Sequence, residues 1–191
     1  MSTHEEPAAA TLEDRLRLLA EASGLPVPRL VVDQPRTQER LPQSREADGE
    51  RIVSVPRSLL TAGPARQFWH LAACLGRWVS PEPARRHRLG GIGLVVLFVV
   101  YVVLLFALAS AVPWLWITVL LAYPIGAWTI RWERQAMEAA GRTVLAAAGH
   151  PPVEVARAAF GDEPDPPFLR ALLAAEPTPS RRIRAAELDA V

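Results

Sequence analysis

At positions 89–130 the chain reads LGGIGLVVLFVVYVVLLFALASAVPWLWITVLLAYPIGAWTI, without a single Asp, Glu, Lys, Arg or His. Pro113 divides this uncharged run into two parts, Gly91 to Ser110 and Pro113 to Ile130. Each part is close to the ~20 residues that cross the hydrocarbon core of a bilayer as a helix. A buried hairpin in a soluble protein is the alternative, but soluble core helices rarely stay apolar on every face over such a length. The run therefore predicts a transmembrane helical hairpin over residues 89–130.

Arginines flank the uncharged run on both sides. Arg85, Arg86 and Arg88 precede it, and Arg131 and Arg134 follow it, whereas the connection between its two parts is short and uncharged. By the positive-inside rule both ends of the hairpin are cytoplasmic. We therefore expect a protein that is integral to the cytoplasmic membrane, with two spans and both termini in the cytoplasm. Its expected partners are the lipid bilayer and another membrane protein or a protease.

Composition limits the remaining function classes. The formal net charge is only +1, so nothing in the chain resembles a nucleic-acid-binding surface. The single Cys74 cannot form an internal disulfide, which suits a cytoplasmic location. The N-terminus starts polar and has no signal-peptide pattern, so we expect the hairpin itself to direct insertion.

The segments outside the hairpin predict a mainly α (α+β) fold with a small β element. Residues 1–10 are expected to be a flexible tail, and a first helix starts at Thr11 with Leu12, Leu16 and Leu19 as its apolar stripe. Residues 11–88 and 131–191 then form an N-terminal and a C-terminal half on either side of the hairpin. Gln34 to Glu50 is polar and is expected to be mobile. The predicted strands are 30–32 and 51–55, and the further predicted helices are about 65–78, 131–148, 153–160, 167–175 and 180–188.

The sequence lacks most of the common catalytic and metal-binding motifs. The chain has no glycine-rich phosphate loop, and no pair of His or of Cys residues has metal-ligand spacing. The nearest approach to a metal site is His70 with Cys74, four positions later on one predicted helix, which could meet Glu133 if the helices pack together. The alternative is that His70, beside Trp69, is an ordinary packed histidine.

The order of the elements resembles that of the HtpX-like zinc metallopeptidases, a membrane family that includes the CAAX prenyl endopeptidases. The segment 52–60, IVSVPRSLL, is similar to the strand and turn ahead of the family's active-site helix. That helix reads Leu-Ala-His-Glu-Leu-Gly-His in the family, where two His bind zinc and the Glu activates water. Here the matching stretch, residues 71–77, is LAACLGR. Ala73, Cys74 and Arg77 thus stand where the resemblance places the first His, the general base and the second His.

Three later segments also resemble the family. Residues 133–137, ERQAM, are similar to the Glu-x-x-Ala-Asp helix, so that Glu133 stands at the position of the third zinc ligand and Met137 replaces the Asp. Residues 149–152, GHPP, are similar to the Gly-x-x-Pro turn that follows that helix. Residues 176–183, EPTPSRRI, are similar to the family's His-Pro-Pro-x-x-x-Arg-Ile segment, with Glu176 at the His position. The resemblance implies a metallopeptidase-like helical domain anchored in the membrane by the hairpin.

The departures from the family pattern decide the expected activity. A catalytic zinc needs three protein ligands, whereas Ala73 has no donor atom, Arg77 is a permanent cation and only Glu133 remains. Cys74 does not replace the Glu that deprotonates the metal-bound water. The sequence therefore predicts a pseudopeptidase that acts by binding or regulating another protein, with no cofactor and no catalytic residue intact.

Two alternatives stay open beside the pseudopeptidase. One is an active membrane zinc metalloendopeptidase with a shifted site of His70, Cys74 and Glu133, and the other is an unrelated small two-span membrane protein. Within the pseudopeptidase reading, an ion pair between Arg77 and Glu133 replaces the cross-link that zinc supplies in the family. The competing interpretation is that Arg77 reaches the lipid headgroups while Glu133 pairs with a nearby arginine.

Overall fold

The structure, a computed structural model, describes residues 5–33, 42–80, 99–100, 122–173 and 176–190. Its main elements are helices around a small sheet. In chain order they are α1 (Glu5–Ala22), β1 (Arg29–Val32), β2 (Gln43–Ala47), β3 (Glu50–Val55), α2 (Arg57–Leu60), α3 (Pro64–Val79), α4 (Ala122–Ala147), α5 (Pro152–Phe160), α6 (Phe168–Leu173) and α7 (Pro179–Leu188).

The three described strands form one sheet in the order β1-β3-β2. β1 runs parallel to β3, with Leu30 opposite Val53, and β2 runs antiparallel to β3, with Ala47 opposite Glu50. The two residues between β2 and β3, Asp48 and Gly49, both have positive φ (54° and 79°). A tight hairpin of this kind needs that backbone, and an Asp-Gly pair adopts it at low cost.

Strand β2 lies inside the segment that we expected to be polar and mobile. Its sequence, QSREA, carries no apolar stripe, so the pattern alone does not indicate a strand. The Asp48-Gly49 turn and the apolar partner strand β3 supply what β2 lacks, because they fix its register and provide its hydrogen-bonding edge. The prediction of a mobile segment was therefore wrong for residues 43–47.

Helix α1 begins earlier than predicted. It starts at Glu5, so the expected flexible tail is helical from that residue on. Thr11 lies inside the helix, where its Oγ1 donates a hydrogen bond to the Pro7 carbonyl at 2.9 Å instead of capping the first turn. The predicted stripe of Leu12, Leu16 and Leu19 is confirmed, since all three side chains are buried.

Helix α3 is central to the core. It spans Pro64–Val79, within one residue of the predicted 65–78 at each end. Trp69, Leu71 and Leu75 are fully buried on it and belong to one apolar cluster with residues of α1, β3, α4, α5 and α7. Burial of this cluster is what holds α3 against the later helices.

The predicted transmembrane hairpin is contradicted, and so are the membrane anchor and the two-span localisation. Within the ranges listed above, no helix is long and apolar enough to cross a membrane. α4 begins inside the uncharged run at Ala122 but continues to Ala147, and from position 131 on it carries charged residues such as Arg131, Glu133 and Arg134. The uncharged part of α4, residues 122–130, falls well short of the ~20 residues that a span needs. The first predicted span, apart from residues 99–100, and residues 113–121 of the second lie outside the described residues.

One continuous helix, α4, crosses residue 131, where the sequence predicted the start of a separate helix. It ends at Ala147, and Gly149, two residues later, has a φ of +76°. The amide of His150 then donates to the Leu145 carbonyl at 2.9 Å, which closes the helix end in the manner expected of a glycine-terminated helix.

Candidate functional site

Helices α3 and α4 cross with almost no space between their backbones. A Cβ atom added at Gly76 would lie 2.6 Å from the Gly141 nitrogen, and one added at Gly141 would lie 2.7 Å from the Ala73 nitrogen. Real Cβ atoms do not approach backbone that closely, so both glycines are required by this packing. The crossing brings the helix that resembles an active-site helix against residues 137–141 of α4.

The three positions that the resemblance assigns to the zinc-binding motif have different surroundings. Ala73 is half-buried and Cys74 is 4% exposed. Burial raises the pKa of the Cys74 thiol to about 12, against the lowering effect of Arg134 and Arg77. Arg77 is directed at the sheet, where its Nη1 donates a hydrogen bond to the Ser44 carbonyl of β2 at 2.6 Å.

Glu133 stands at the position that the resemblance assigns to the third zinc ligand. It lines a narrow cleft between α3 and α4 together with Gly76, Arg77 and Ser80. The ion pairs made by the described residues do not include one between Arg77 and Glu133. The shifted set of His70, Cys74 and Glu133 is not brought together either, because His70 and Cys74 line a different pocket.

The buried carboxylate that faces α3 is Glu138, which the sequence analysis missed. Its Oε1 lies 2.8 Å from both Nε and Nη2 of Arg182 on α7. Glu138 and Arg182 side chains are only 7% and 5% exposed. Arg182 Nη2 also lies 3.1 Å from Glu176 Oε2, and its guanidinium lies 4.7 Å from the centre of the Phe160 ring. The structure therefore contains a buried ion pair between α4 and α7, but between residues other than the predicted ones.

The ionisation of Glu138 is set by opposing effects. Burial raises its pKa, and Glu176 adds to that. The charge and hydrogen bonds of Arg182 lower it, as does the nearby Trp69 indole, although the Trp69 Nε1 makes no hydrogen bond of ordinary geometry. One sequence signal could have pointed to the pair. Arg182 is the Arg of the segment 176–183, which resembles the family's Arg-Ile segment, and Glu138 is a charged residue among the small side chains of α4 that meet α3.

His70 lies next to this ion pair and is kept neutral. Burial, followed by the positive charges of Arg182, Arg66 and Arg134, lowers its pKa to about 3. Its ring meets Phe160 edge-on, with 6.2 Å between the ring centres. Hence His70 is uncharged at neutral pH.

Two neighbouring spaces have His70 in their lining. The first, which we call the outer cleft, has a volume of about 640 Å³. Its walls are rich in proline, namely Pro42, Pro56, Pro164, Pro166, Pro177 and Pro179. Its polar and charged lining residues are Ser58, Arg66, His70, Glu163, Glu176, Thr178 and Arg182.

The second space, the inner pocket, is much smaller, at about 20 Å³. It is lined by Pro42, Ser44, His70, Ala73, Cys74, Arg134, Met137, Glu138 and Arg182. Pro42, His70 and Arg182 line both spaces, so the inner pocket adjoins the outer cleft.

The side chains around the inner pocket do not fit a catalytic zinc. Glu138 is paired with Arg182, the thiol of Cys74 keeps its proton, and a further guanidinium, that of Arg134, lines the same space. In the part of the chain that the structure describes, no group of three or more His, Cys, Asp or Glu residues is placed to hold a metal ion.

Comparison with known proteins assigns neither a family nor a function to this chain. Neither the protein-family models, nor the curated proteins, nor the solved structures include a match to this chain. The resemblance to the HtpX-like peptidases therefore stays a prediction from the sequence, and the function has to be argued from the site.

Proposed function

We propose that this protein is a catalytically inactive, metallopeptidase-like binding module whose outer cleft receives a segment of another protein. The observation that carries the proposal is the buried Arg182–Glu138 pair. It uses the carboxylate that faces α3, so that carboxylate is not available as a metal ligand. The adjacent residues Ala73 and Cys74 supply neither a zinc ligand set nor the Glu that activates water in the family that the sequence resembles.

The outer cleft supports binding in place of catalysis. Its volume of about 640 Å³ lies within the ~300–1,000 Å³ of ordinary ligand sites. Proline walls are conformationally restricted, so little backbone entropy is lost when a ligand enters. Polar groups, including those of Ser58 and Thr178, line the same cleft and can orient a bound extended segment by hydrogen bonds.

The experiment that tests the proposal combines two measurements on the purified full chain. The first is bound zinc together with proteolysis of an unstructured protein substrate. The second is binding of a library of extended peptides, compared between the parent chain and Ser58→Trp. Ser58 is exposed and lines the outer cleft, so the indole would occupy the space for the ligand. Thr61→Trp is the matched control, because Thr61 is exposed nearby but is not a lining residue.

Binding that is lost in Ser58→Trp and kept in Thr61→Trp, without zinc and without proteolysis, supports the binding module. Stoichiometric zinc that disappears in His70→Gln, together with peptide cleavage, would overturn the proposal and favour an active zinc peptidase. Peptide binding that both tryptophan variants retain would show that the outer cleft is not the site.

A further inference from the structure

The inner pocket carries more positive than negative charge. Arg134 of α4 and Arg182 of α7 both line it, and Glu138 is the single carboxylate among the lining residues that the structure describes. Because Arg182 and Glu138 pair with each other, no described lining residue is left to compensate the charge of Arg134. In the described residues Arg134 forms no ion pair and no hydrogen bond through its guanidinium.

A second polar group in the same pocket lacks a partner. Ser44 on β2 is 5% exposed, and its Oγ makes no hydrogen bond to any described residue. Buried hydroxyl groups in native proteins are almost always hydrogen-bonded, and an unpaired one is costly. Its presence beside an unpaired guanidinium indicates that something else completes the site, and that this group accepts hydrogen bonds.

The electrostatic potential around the pocket agrees with an anionic ligand. Among the residues that the structure describes, the charged groups that act on His70 are all arginines, namely Arg182, Arg66 and Arg134. Those that act on Cys74 are Arg134 and Arg77, again both positive. A cation brought into the pocket would be repelled, whereas an anion would be attracted.

The geometry limits how such an anion enters. A space of about 20 Å³ has room for a group about the size of one water molecule, so it admits one oxygen atom at the end of a ligand. The rest of the ligand would lie in the outer cleft, which shares the lining residues Pro42, His70 and Arg182 with the inner pocket. The shape therefore favours a narrow chain that ends in, or carries, a small anionic group.

We propose that the inner pocket binds the carboxylate of a ligand that enters through the outer cleft, with Arg134 as its ion-pair partner and Ser44 as a hydrogen-bond donor. The proposal rests on the binding function of the outer cleft and names the ligand chemistry that it selects. The carboxylate belongs either to a polypeptide or to a free small carboxylic acid, and the experiment separates these two sources.

The test uses the full chain and three probes: acetate, N-acetyl-trialanine with a free carboxylate, and the same peptide as its amide. Binding is followed by calorimetry and by the NMR signals of the His70 ring, which are assigned among the four histidines with His70→Gln. Arg134→Gln and Ser44→Ala remove the two proposed contacts. Arg184→Gln is the control, because Arg184 is exposed on α7 and lines neither space.

The expected result is that the acid peptide binds and shifts the His70 signals, while the amide binds at least about tenfold more weakly. Arg134→Gln should weaken binding of the acid peptide by about tenfold or more and leave binding of the amide unchanged. Ser44→Ala should weaken binding of the acid peptide by a smaller factor. Arg184→Gln should behave as the parent does.

Three outcomes are informative in other ways. Equal binding of acid and amide that is unaffected by Arg134→Gln would overturn the carboxylate site and leave the outer-cleft proposal standing. Acetate binding that depends on Arg134, with no binding of either peptide or of the peptide library, would support the pocket and overturn the polypeptide-binding function. If neither acetate nor the acid peptide binds, the carboxylate site is overturned, and the peptide library alone decides the outer cleft.

Discussion

Arg182 reaches from α7 to Glu138 on α4, where its Nε and Nη2 both lie 2.8 Å from Oε1 of the carboxylate. Both side chains are almost fully buried, so the pair is shielded from solvent and from salt. It joins two helices that are far apart in the sequence, next to the helix that resembles an active-site helix. A cross-link in this position holds the two helices together, as a metal ion does in many enzymes, but without the reactivity of the metal.

Breaking the pair from one side should be strongly destabilising. Glu138→Gln leaves the Arg182 guanidinium buried without its main counter-charge, and such a change costs about 3 to 5 kcal/mol of unfolding free energy. Urea denaturation followed by circular dichroism measures this loss. The matched control is Glu176→Gln, because the Glu176 carboxylate also contacts Arg182 but is about a third exposed, and its loss should cost no more than about 1 kcal/mol.

A double variant separates the contribution of the two charges to the free energy of unfolding from the contribution of side-chain packing. Glu138→Leu combined with Arg182→Met removes both charges at similar volume, and should recover most of the stability lost in Glu138→Gln. If Glu138→Gln and Glu176→Gln destabilise the protein equally and weakly, the pair does not have the structural role assigned to it.

Gly76 should not tolerate a methyl group. The Cβ of Gly76→Ala would lie 2.6 Å from the Gly141 nitrogen and 2.8 Å from the Met137 carbonyl oxygen, both backbone atoms of α4. Because backbone cannot rotate away, we expect a net loss of about 1 to 3 kcal/mol in spite of the better helix propensity of alanine. Gly63→Ala is the comparison, since a Cβ there meets nothing within 4 Å and should cost less than about 1 kcal/mol. Equal stability of the two variants in urea would contradict the close crossing of α3 and α4.

Local patterns predicted part of this fold. The boundaries of α3 follow from an apolar stripe that begins after Gly63-Pro64, and the buried stripe of α1 follows from leucines at helical spacing. Strand β2 was missed because its residues are polar, and its position depends on the Asp48-Gly49 turn and on β3. The uncharged run suggested a hairpin, but absence of charge describes composition only, and α4 extends well beyond the run into charged sequence.

The site was harder to predict than the fold. The family resemblance directed attention to Glu133, whereas the helix phase of α4 presents Glu138 to α7. The contact partners Glu138 and Arg182 lie 44 positions apart, and no local pattern specifies such a pair. The neutrality of His70 likewise depends on arginines from three different helices, Arg66, Arg134 and Arg182, which only the folded chain brings together.

The Cys74 thiol should be unreactive in the folded protein. Burial raises its pKa to about 12, and the thiolate is the form that reacts with electrophilic reagents. A thiol-specific colorimetric reagent at mildly alkaline pH should therefore react very slowly with the native chain, and should titrate one thiol per chain in denaturant. As a control, Thr61→Cys in a Cys74→Ala background places a thiol at an exposed position and should react rapidly without denaturant. Fast labelling of native Cys74 would contradict its burial against α4.

His70 should make the stability of the protein depend on pH below neutrality. Its pKa is lowered to about 3 in the folded protein from the ordinary value of 6.5, chiefly by burial. Between these two values the unfolded chain takes up a proton at His70 and the folded chain does not. The free energy of unfolding should therefore fall as the pH falls from 6.5 towards 3, by up to about 1.4 kcal/mol for each pH unit, and His70 should add no pH dependence above 6.5.

The contribution of His70 to this pH dependence has to be isolated, because other groups titrate in the same pH range. Burial raises the pKa of Glu138, so the folded chain holds a proton there more firmly than the unfolded chain, and this group favours folding as the pH falls. The proper measurement is thus the difference between the parent chain and His70→Gln in urea denaturation at several pH values from about 4.5 to 7.5, in which the Glu138 contribution largely cancels. We expect the parent to lose stability relative to His70→Gln as the pH is lowered. A difference that stays constant with pH would mean that the folded protein protonates His70 as readily as the unfolded chain, which the three surrounding arginines and the burial of the ring oppose.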